Sequence, residues 1–167
     1  MIEAIKNRRS IRKFQKEKPV SDEQLNQLLE AAMLAPSARN SRPWEFIVIT
    51  KRELLDEIAG TYTNAGMCET ATAAIIVVAV PDISRAKGYF PQECGAVTQN
   101  ILLAASGLGL GACWCGIYPR EERVASLSKL LDIPSSKIPM NIIAVGVPDE
   151  SPEQKGFYEP DKVVFIR

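Results

Sequence analysis

Apolar residues recur along this chain with two different periods, and the switches between them outline its elements. Leu25, Leu28, Leu29, Ala32 and Met33 fall at i, i+3, i+4, i+7 and i+8, the stripe of a helix packed on a core. Ser21 and Gln24 have capping-box spacing at its start, and Pro36 stops it, because the residue before a proline is pushed out of helical conformation. Residues 44–49, Trp-Glu-Phe-Ile-Val-Ile, are aromatic and β-branched and predict a strand. A short helix carrying Leu54, Leu55 and Ile58 follows. Residues 74–80 are apolar throughout, as expected of a strand covered on both faces. From 92 to 107 the pattern predicts a helix that is apolar nearly all round, suited to a protein's centre or a subunit interface. Gly107, Gly109 and Gly111 end it, and residues 112–117 predict a second buried strand. Val124, Leu127, Leu130 and Leu131 mark another amphipathic helix, and residues 142–147 a last core strand. At the N-terminus Ile2 and Ile5 are expected to face inward from a short helix. The tail, 148–167, ends in Val163, Val164, Phe165 and Ile166; it has too little apolar surface to pack alone and should lie across something else. Interspersed helices and strands predict one mixed layer fold, and 167 residues are enough for a single domain with a real core.

Composition narrows the class of protein. Apolar residues make up 46% and charged residues 24%, which excludes disordered and fibrous chains. The formal net charge is zero, so nothing points to a nucleic acid or an anionic membrane as partner. The first ten residues are charged and lack the apolar core of a secretory signal, and the longest apolar run is too short to span a bilayer. A cytoplasmic protein is the expectation.

Histidine is absent, which removes Ser-His-Asp and Cys-His nucleophiles and any His-ligated metal. Chemistry must come from carboxylates, thiols, backbone or a bound cofactor. Cys68, Cys94, Cys113 and Cys115 offer one C-x-C and two isolated thiols, the wrong spacing for a four-thiolate zinc or iron–sulfur site. Buried free thiols in a reducing compartment fit better. Residues 107–112 formally match G-x-G-x-x-A, but that dinucleotide fingerprint needs a strand before it and a helix after it, and here the order is reversed.

Two polar segments remain. Arg8, Arg9, Ser10 and Arg12 set three guanidiniums and a hydroxyl within five residues, a donor set that suits a phosphate dianion. As a charge run alone it reads better as a solvated basic face. The loop 36–43, Pro-Ser-Ala-Arg-Asn-Ser-Arg-Pro, is rich in hydrogen-bonding side chains, although ordinary turn chemistry also accounts for it.

In order and spacing these segments resemble the nitroreductase family over essentially the whole chain. Residues 8–14, Arg-Arg-Ser-Ile-Arg-Lys-Phe, are similar to its R-R-S-x-R-x-F, and residues 35–44 to its A-P-S-x-x-N-x-Q-P-W. Residues 95–105 are similar to its central helix, and residues 107–109 to the glycines that follow. The resemblance implies an α+β fold: a mixed central sheet flanked by helices, dimerised through the long helix, with the C-terminal tail exchanged in a homodimer. It implies FMN at the subunit interface and reduction by NADH or NADPH. Arg8, Ser10 and Arg12 would hold the phosphate and the ribityl–pyrimidine side of FMN, with Arg9 adding backbone contact and positive field. Pro36, Ser37, Ala38 and Asn40 would reach the flavin from the partner subunit. Cys115 and Gly116 fall where the family places backbone groups near flavin N5, and Lys155 where it has a phosphate-binding lysine. The chain departs from the pattern at Arg42, in place of a common glutamine at the ring or substrate mouth, and at Phe157, in place of a second phosphate-binding arginine. Asn64 lies near, but not on, the position of another flavin contact.

The implied activity is ping-pong hydride transfer from NAD(P)H through the flavin to a nitroaromatic, quinone or similar small acceptor, with no catalytic side chain required. Dehalogenation or heterocycle oxidation on the same scaffold, and a non-catalytic FMN-binding or storage protein, remain open alternatives.

Overall fold

The computed structural model describes residues 2–153, 156 and 158–167; the expectations placed on Lys155 and Phe157 lie outside the described residues. The elements in chain order are α1 (Ile2–Asn7), α2 (Asp22–Met33), β1 (Trp44–Ile49), α3 (Arg52–Thr61), β2 (Ala73–Ala79), α4 (Phe90–Gly107), β3 (Gly111–Gly116), α5 (Glu121–Leu130) and β4 (Ile138–Gly146). Short 3₁₀ turns cover Ala38–Asn40 and Thr63–Glu69. The strands form one sheet of order β1-β2-β4-β3, antiparallel at every pairing. The α+β class is as expected. Among the described residues the sheet itself is not mixed, and the one parallel feature is an isolated bridge from Ser10 to Ala112.

Helices cover both faces. On one side α2 and α4 pack on Ala73, Ile75, Val77 and Ala79 of β2 and on Ile143 and Val145 of β4. On the other, α3, α5 and the 63–69 turn pack on Ala74, Ile76, Val78, Ile142 and Ala144. The uniform apolar run of β2 is thus an ordinary period-two strand whose two faces both meet helices.

Local chemistry accounts for the helix ends. At the start of α2, Ser21 Oγ accepts from the Gln24 N–H at 3.2 Å and Gln24 Oε1 accepts from the Ser21 N–H at 3.0 Å, the reciprocal capping box. At the end of α4, the Leu110 N–H donates to the Ala105 carbonyl (2.8 Å) and the Gly109 N–H to the Ser106 carbonyl (3.3 Å). This Schellman closure needs a left-handed residue, and Gly109 supplies it with φ of 72°.

Two readings of apolar position are corrected. Ile2 and Ile5 are exposed, because α1 has no buried residues, and Met33, at the last position of α2, is half exposed. The strand and helix ends otherwise shift by a residue or a few. Gly111 opens β3 instead of ending α4. The tail ends exposed, with Val164 at 84% and Ile166 at 96%, and nothing among the described residues covers it.

The segment after α1 is laid across the end of the sheet. Gly111 of β3 and Gly146 of β4 pair directly, and their missing side chains make room for Ile11 and Phe14. An ideal Cβ on Gly111 would lie 2.7 Å from Ile11 Cγ2, and one on Gly146 would lie 2.9 Å from Phe14 Cδ1. Backbone bonds pin the segment there. The Ile11 N–H donates to the Ala112 carbonyl (3.1 Å), the Gln15 N–H to the Val147 carbonyl (2.9 Å), and the Asp149 N–H to the Lys13 carbonyl (2.8 Å). Glu150 Oε1 accepts from the Arg12 and Lys13 N–H groups.

Candidate functional site

That pinning carries the basic cluster to β3. Arg8, Arg9, Ser10 and Arg12 line a cavity of about 300 Å³ together with Pro152 and Glu153. The three guanidiniums differ in what they already hold. Arg9 donates to the carbonyls of Lys6 (2.7 Å), Arg8 (2.5 Å) and Glu153 (3.0 Å), so it ties α1 to the tail. Arg12 makes one long contact, 3.4 Å to the Ser10 carbonyl. Among the described residues the Arg8 side chain donates no hydrogen bond, and neither Arg8 nor Arg12 pairs with a carboxylate. Two fork-shaped cations without an anion, beside a cavity, are a donor set for a phosphate.

The positive field reaches into β3. A hydrogen bond from Cys115 holds the Cys113 thiol down, to about 7, and the guanidiniums of Arg12 and Arg8 favour its thiolate against the opposing effect of burial. The Cys115 thiol is shifted the other way, by its hydrogen bond to Cys113 and by burial. It points into the core, where Sγ donates to Met67 Sδ at 3.4 Å. Trp114 and Gly116 alternate with these thiols and face outward, on the side of α4. The Gly116 carbonyl accepts from Asn64 Nδ2 (3.0 Å) and from Arg123 Nη1 (3.1 Å). Asn64 Oδ1 is buried without a partner among the described residues.

The polar loop forms a second group. Arg39, Asn40 and Arg42 all have positive φ, 53°, 52° and 50°. For residues other than glycine this costs about 1–2 kcal/mol each, less for asparagine. Side chains hold the shape. Ser37 Oγ accepts from the Arg42 N–H (2.9 Å), Ser41 Oγ donates to the Ala38 carbonyl (2.9 Å), and Arg42 Nε donates to Asn40 Oδ1 (3.0 Å). The Ala38 N–H donates to Glu93 Oε1 of α4 at 2.7 Å. Local strain enforced by a surrounding network is a mark of functional loops.

The structure therefore brings Arg8, Arg9, Ser10 and Arg12 together and sets them beside the β3 strand of Cys115 and Gly116. It does not bring the loop of Pro36, Ser37, Ala38, Asn40 and Arg42 to them: among the described residues no hydrogen bond or ion pair links the two groups. A larger cavity of about 530 Å³, between α5 and the start of β4, involves neither. Asn64, which the family pattern placed near but not on a flavin contact, bonds the Gly116 carbonyl; Arg123, Glu93 and Glu150 are additions that sequence reasoning missed. Of these only Glu93 carried a signal, as the one carboxylate within the apolar stretch of α4.

An α+β layer fold with an open cationic corner offers a donor set for an anion, and comparison with known proteins shows the family that carries it. Residues 5–147 match the nitroreductase family model. The chain is 43% identical, over 98% of its length and 85% of the relative's, to a protein of Methanothermobacter thermautotrophicus assigned as an NADH dehydrogenase/NAD(P)H nitroreductase. It superposes with a TM-score of 0.91 on an FMN-dependent nitroreductase of Clostridium difficile, at 30% identity, covering 100% of this chain and 99% of the other. A protein of Desulfovibrio desulfuricans assigned to the nitroreductases and solved in complex with FMN matches at 29% identity and a TM-score of 0.85, with coverage of 99% and 96%. The chain belongs to the nitroreductase family.

Proposed function

We propose that the chain acts as one FMN-binding domain, residues 1–167, in a homodimer that carries hydride from NADH or NADPH to a small acceptor such as a nitroaromatic or a quinone. The observation that carries the proposal is the pair of guanidiniums, Arg8 and Arg12, which face the cavity beside β3 with no carboxylate partner among the described residues. Bound FMN would supply the two-electron redox chemistry between nicotinamide and acceptor in a ping-pong cycle.

The remaining chemistry is positioning and electrostatics. Arg8, Ser10 and Arg12 hold the phosphate and the ribityl–pyrimidine side, and Arg9 keeps α1 and the tail in place around them. The backbone of Cys115 and Gly116 would hold the redox-active side of the flavin, with Asn64 and Arg123 fixing the Gly116 carbonyl. Positive charge near the pyrimidine favours the electron-rich reduced state. Pro36, Ser37, Ala38, Asn40 and Arg42 come from the second subunit, which accounts for their separation from the basic cluster in one chain. Lys155 adds to the phosphate grip. A tail exchanged onto the partner gives cover to Val164, Phe165 and Ile166, which a single chain leaves exposed. Four free cysteines suit a reducing compartment, in keeping with a cytoplasmic enzyme. Among the described residues no helix is long and apolar enough to cross a membrane.

The test is the affinity of the apoprotein for FMN against riboflavin. FMN should bind far more tightly, and Arg8→Ala should cost FMN about ten- to a hundredfold, the worth of a charge-assisted hydrogen bond of roughly 1.5–3 kcal/mol. Riboflavin affinity should be unchanged by it. Equal binding of the two ligands by the wild type would refute the phosphate assignment.

A further inference from the structure

Among the described residues Glu93 is the one buried carboxylate, 5% exposed. It sits in the first turn of α4, where the helix dipole favours negative charge. One oxygen accepts from the Ala38 N–H at 2.7 Å; the other is buried with no partner among the described residues. A buried carboxylate held by a single N–H is a poor source of stability, because losing its hydration outweighs what one hydrogen bond returns. Its contact is with the segment that carries three left-handed residues within four positions. Of the other bonds that shape this loop, one reaches outside residues 37–44, from the Val80 N–H to the Pro43 carbonyl (3.0 Å) at the loop's far end. Glu93 Oε1 is the side-chain acceptor that ties the loop to the body of the protein.

We infer that Glu93 is a positioning residue for the cofactor: through the Ala38 N–H it fixes residues 36–42 in the conformation that meets the flavin of the neighbouring subunit. This rests on the reading that the loop contacts FMN. Without the anchor the loop relaxes out of its left-handed conformation, and FMN binding has to restore the order, at the expense of affinity. The requirement is for an acceptor at that point and not for the charge, so a glutamine suffices.

The test uses the full chain. Measured for each variant are the FMN dissociation constant, the FMN release rate and the melting midpoint of the apoprotein. Glu93→Ala should weaken FMN about tenfold or more, with faster release and no lower melting midpoint. Glu93→Gln, which keeps an oxygen acceptor, should stay within about threefold of wild type. Ala38→Pro removes the donor and leaves Glu93 intact, and combining it with Glu93→Ala should add no further loss. Ser37→Ala reports on the loop independently. If it weakens FMN while Glu93→Ala and Ala38→Pro do not, the role of Glu93 is refuted and the loop reading stands. If none of the three weakens FMN, the loop reading falls as well. Glu93→Ala that melts early but binds FMN as the wild type does would reduce Glu93 to a structural residue and overturn the inference. Should Glu93→Ala not fold, Ala38→Pro decides: wild-type FMN affinity in that variant overturns it.

Discussion

Replacing Gly111 by alanine tests the link between the packing of the N-terminal segment and the cofactor site. The added Cβ would lie 2.7, 2.8 and 2.9 Å from Cγ2, Cβ and Cγ1 of Ile11. The shortest contact falls about 0.8 Å inside the 3.5 Å at which carbon atoms begin to attract. Ile11 cannot swing aside cheaply. It is buried, its branched side chain is stiff, and its N–H is bonded to the Ala112 carbonyl next to the new methyl. The backbone of residues 10–12 must lift, and overpacking of this kind costs about 1–3 kcal/mol. For a chain of this length that lowers the melting midpoint by roughly 2–12 °C. The same displacement moves Ser10 and Arg12, so FMN affinity should fall at least about tenfold. Gly60→Ala is the control, because a Cβ there meets nothing within 4 Å and the position lies in α3, where alanine is the better helix former. Thermal melts of the apoproteins and FMN titrations read both effects. A Gly111→Ala protein with wild-type melting and wild-type FMN affinity would refute the reasoning.

The thiols give a signed pH prediction. Burial pushes Cys94 up to about 12, with the Glu93 carboxylate adding to the shift, from an ordinary value of 9.0. The neutral thiol therefore stabilises the fold fully below pH 9, and this contribution is lost as pH rises from 9 towards 12. Cys94→Ala should flatten the alkaline fall in stability by about 1.4 kcal/mol per pH unit, read from urea unfolding at several pH values. Cys113, held near 7, acts in the opposite sense, contributing stability that grows between pH 7 and 9. Cys115→Ala should keep turnover within about a hundredfold of wild type with FMN bound, since its thiol faces Met67 in the core; a greater loss, beyond about 2.7 kcal/mol, would make the thiol catalytic.

The periodic elements were legible because one physical cause dominated each. The capping box of α2 and the aromatic and β-branched run of β1 involve neighbours in sequence, and both formed where expected. Ile2 and Ile5 failed because an apolar residue on a six-residue helix is buried only if something lies over it, and nothing among the described residues does. Strand direction was illegible for a related reason. Pairing depends on how the helices cross the sheet, and β2 reads as a two-sided strand in a parallel or an antiparallel setting alike. At the site, the basic cluster and the loop were visible as residue types, and only their resemblance to family motifs turned a basic face into a phosphate cradle. Glu93 and Arg123 were missed, and Asn64 was set aside, because each acts on a backbone group of another element, with Glu93 and Ala38 55 positions apart and Asn64 and Gly116 52. No local pattern encodes such contacts.

The central claim is tested most directly by mixing FMN-loaded protein anaerobically with NADH or NADPH and following the visible flavin band. With no acceptor present, a full equivalent of the nicotinamide should bleach the band completely, and a nitroaromatic or quinone added afterwards should restore it in a separate step. Steady-state plots against donor and acceptor should then be parallel lines. A flavin band that neither nicotinamide bleaches, or an oxidised nicotinamide that appears only when donor and acceptor are present together, would contradict the account.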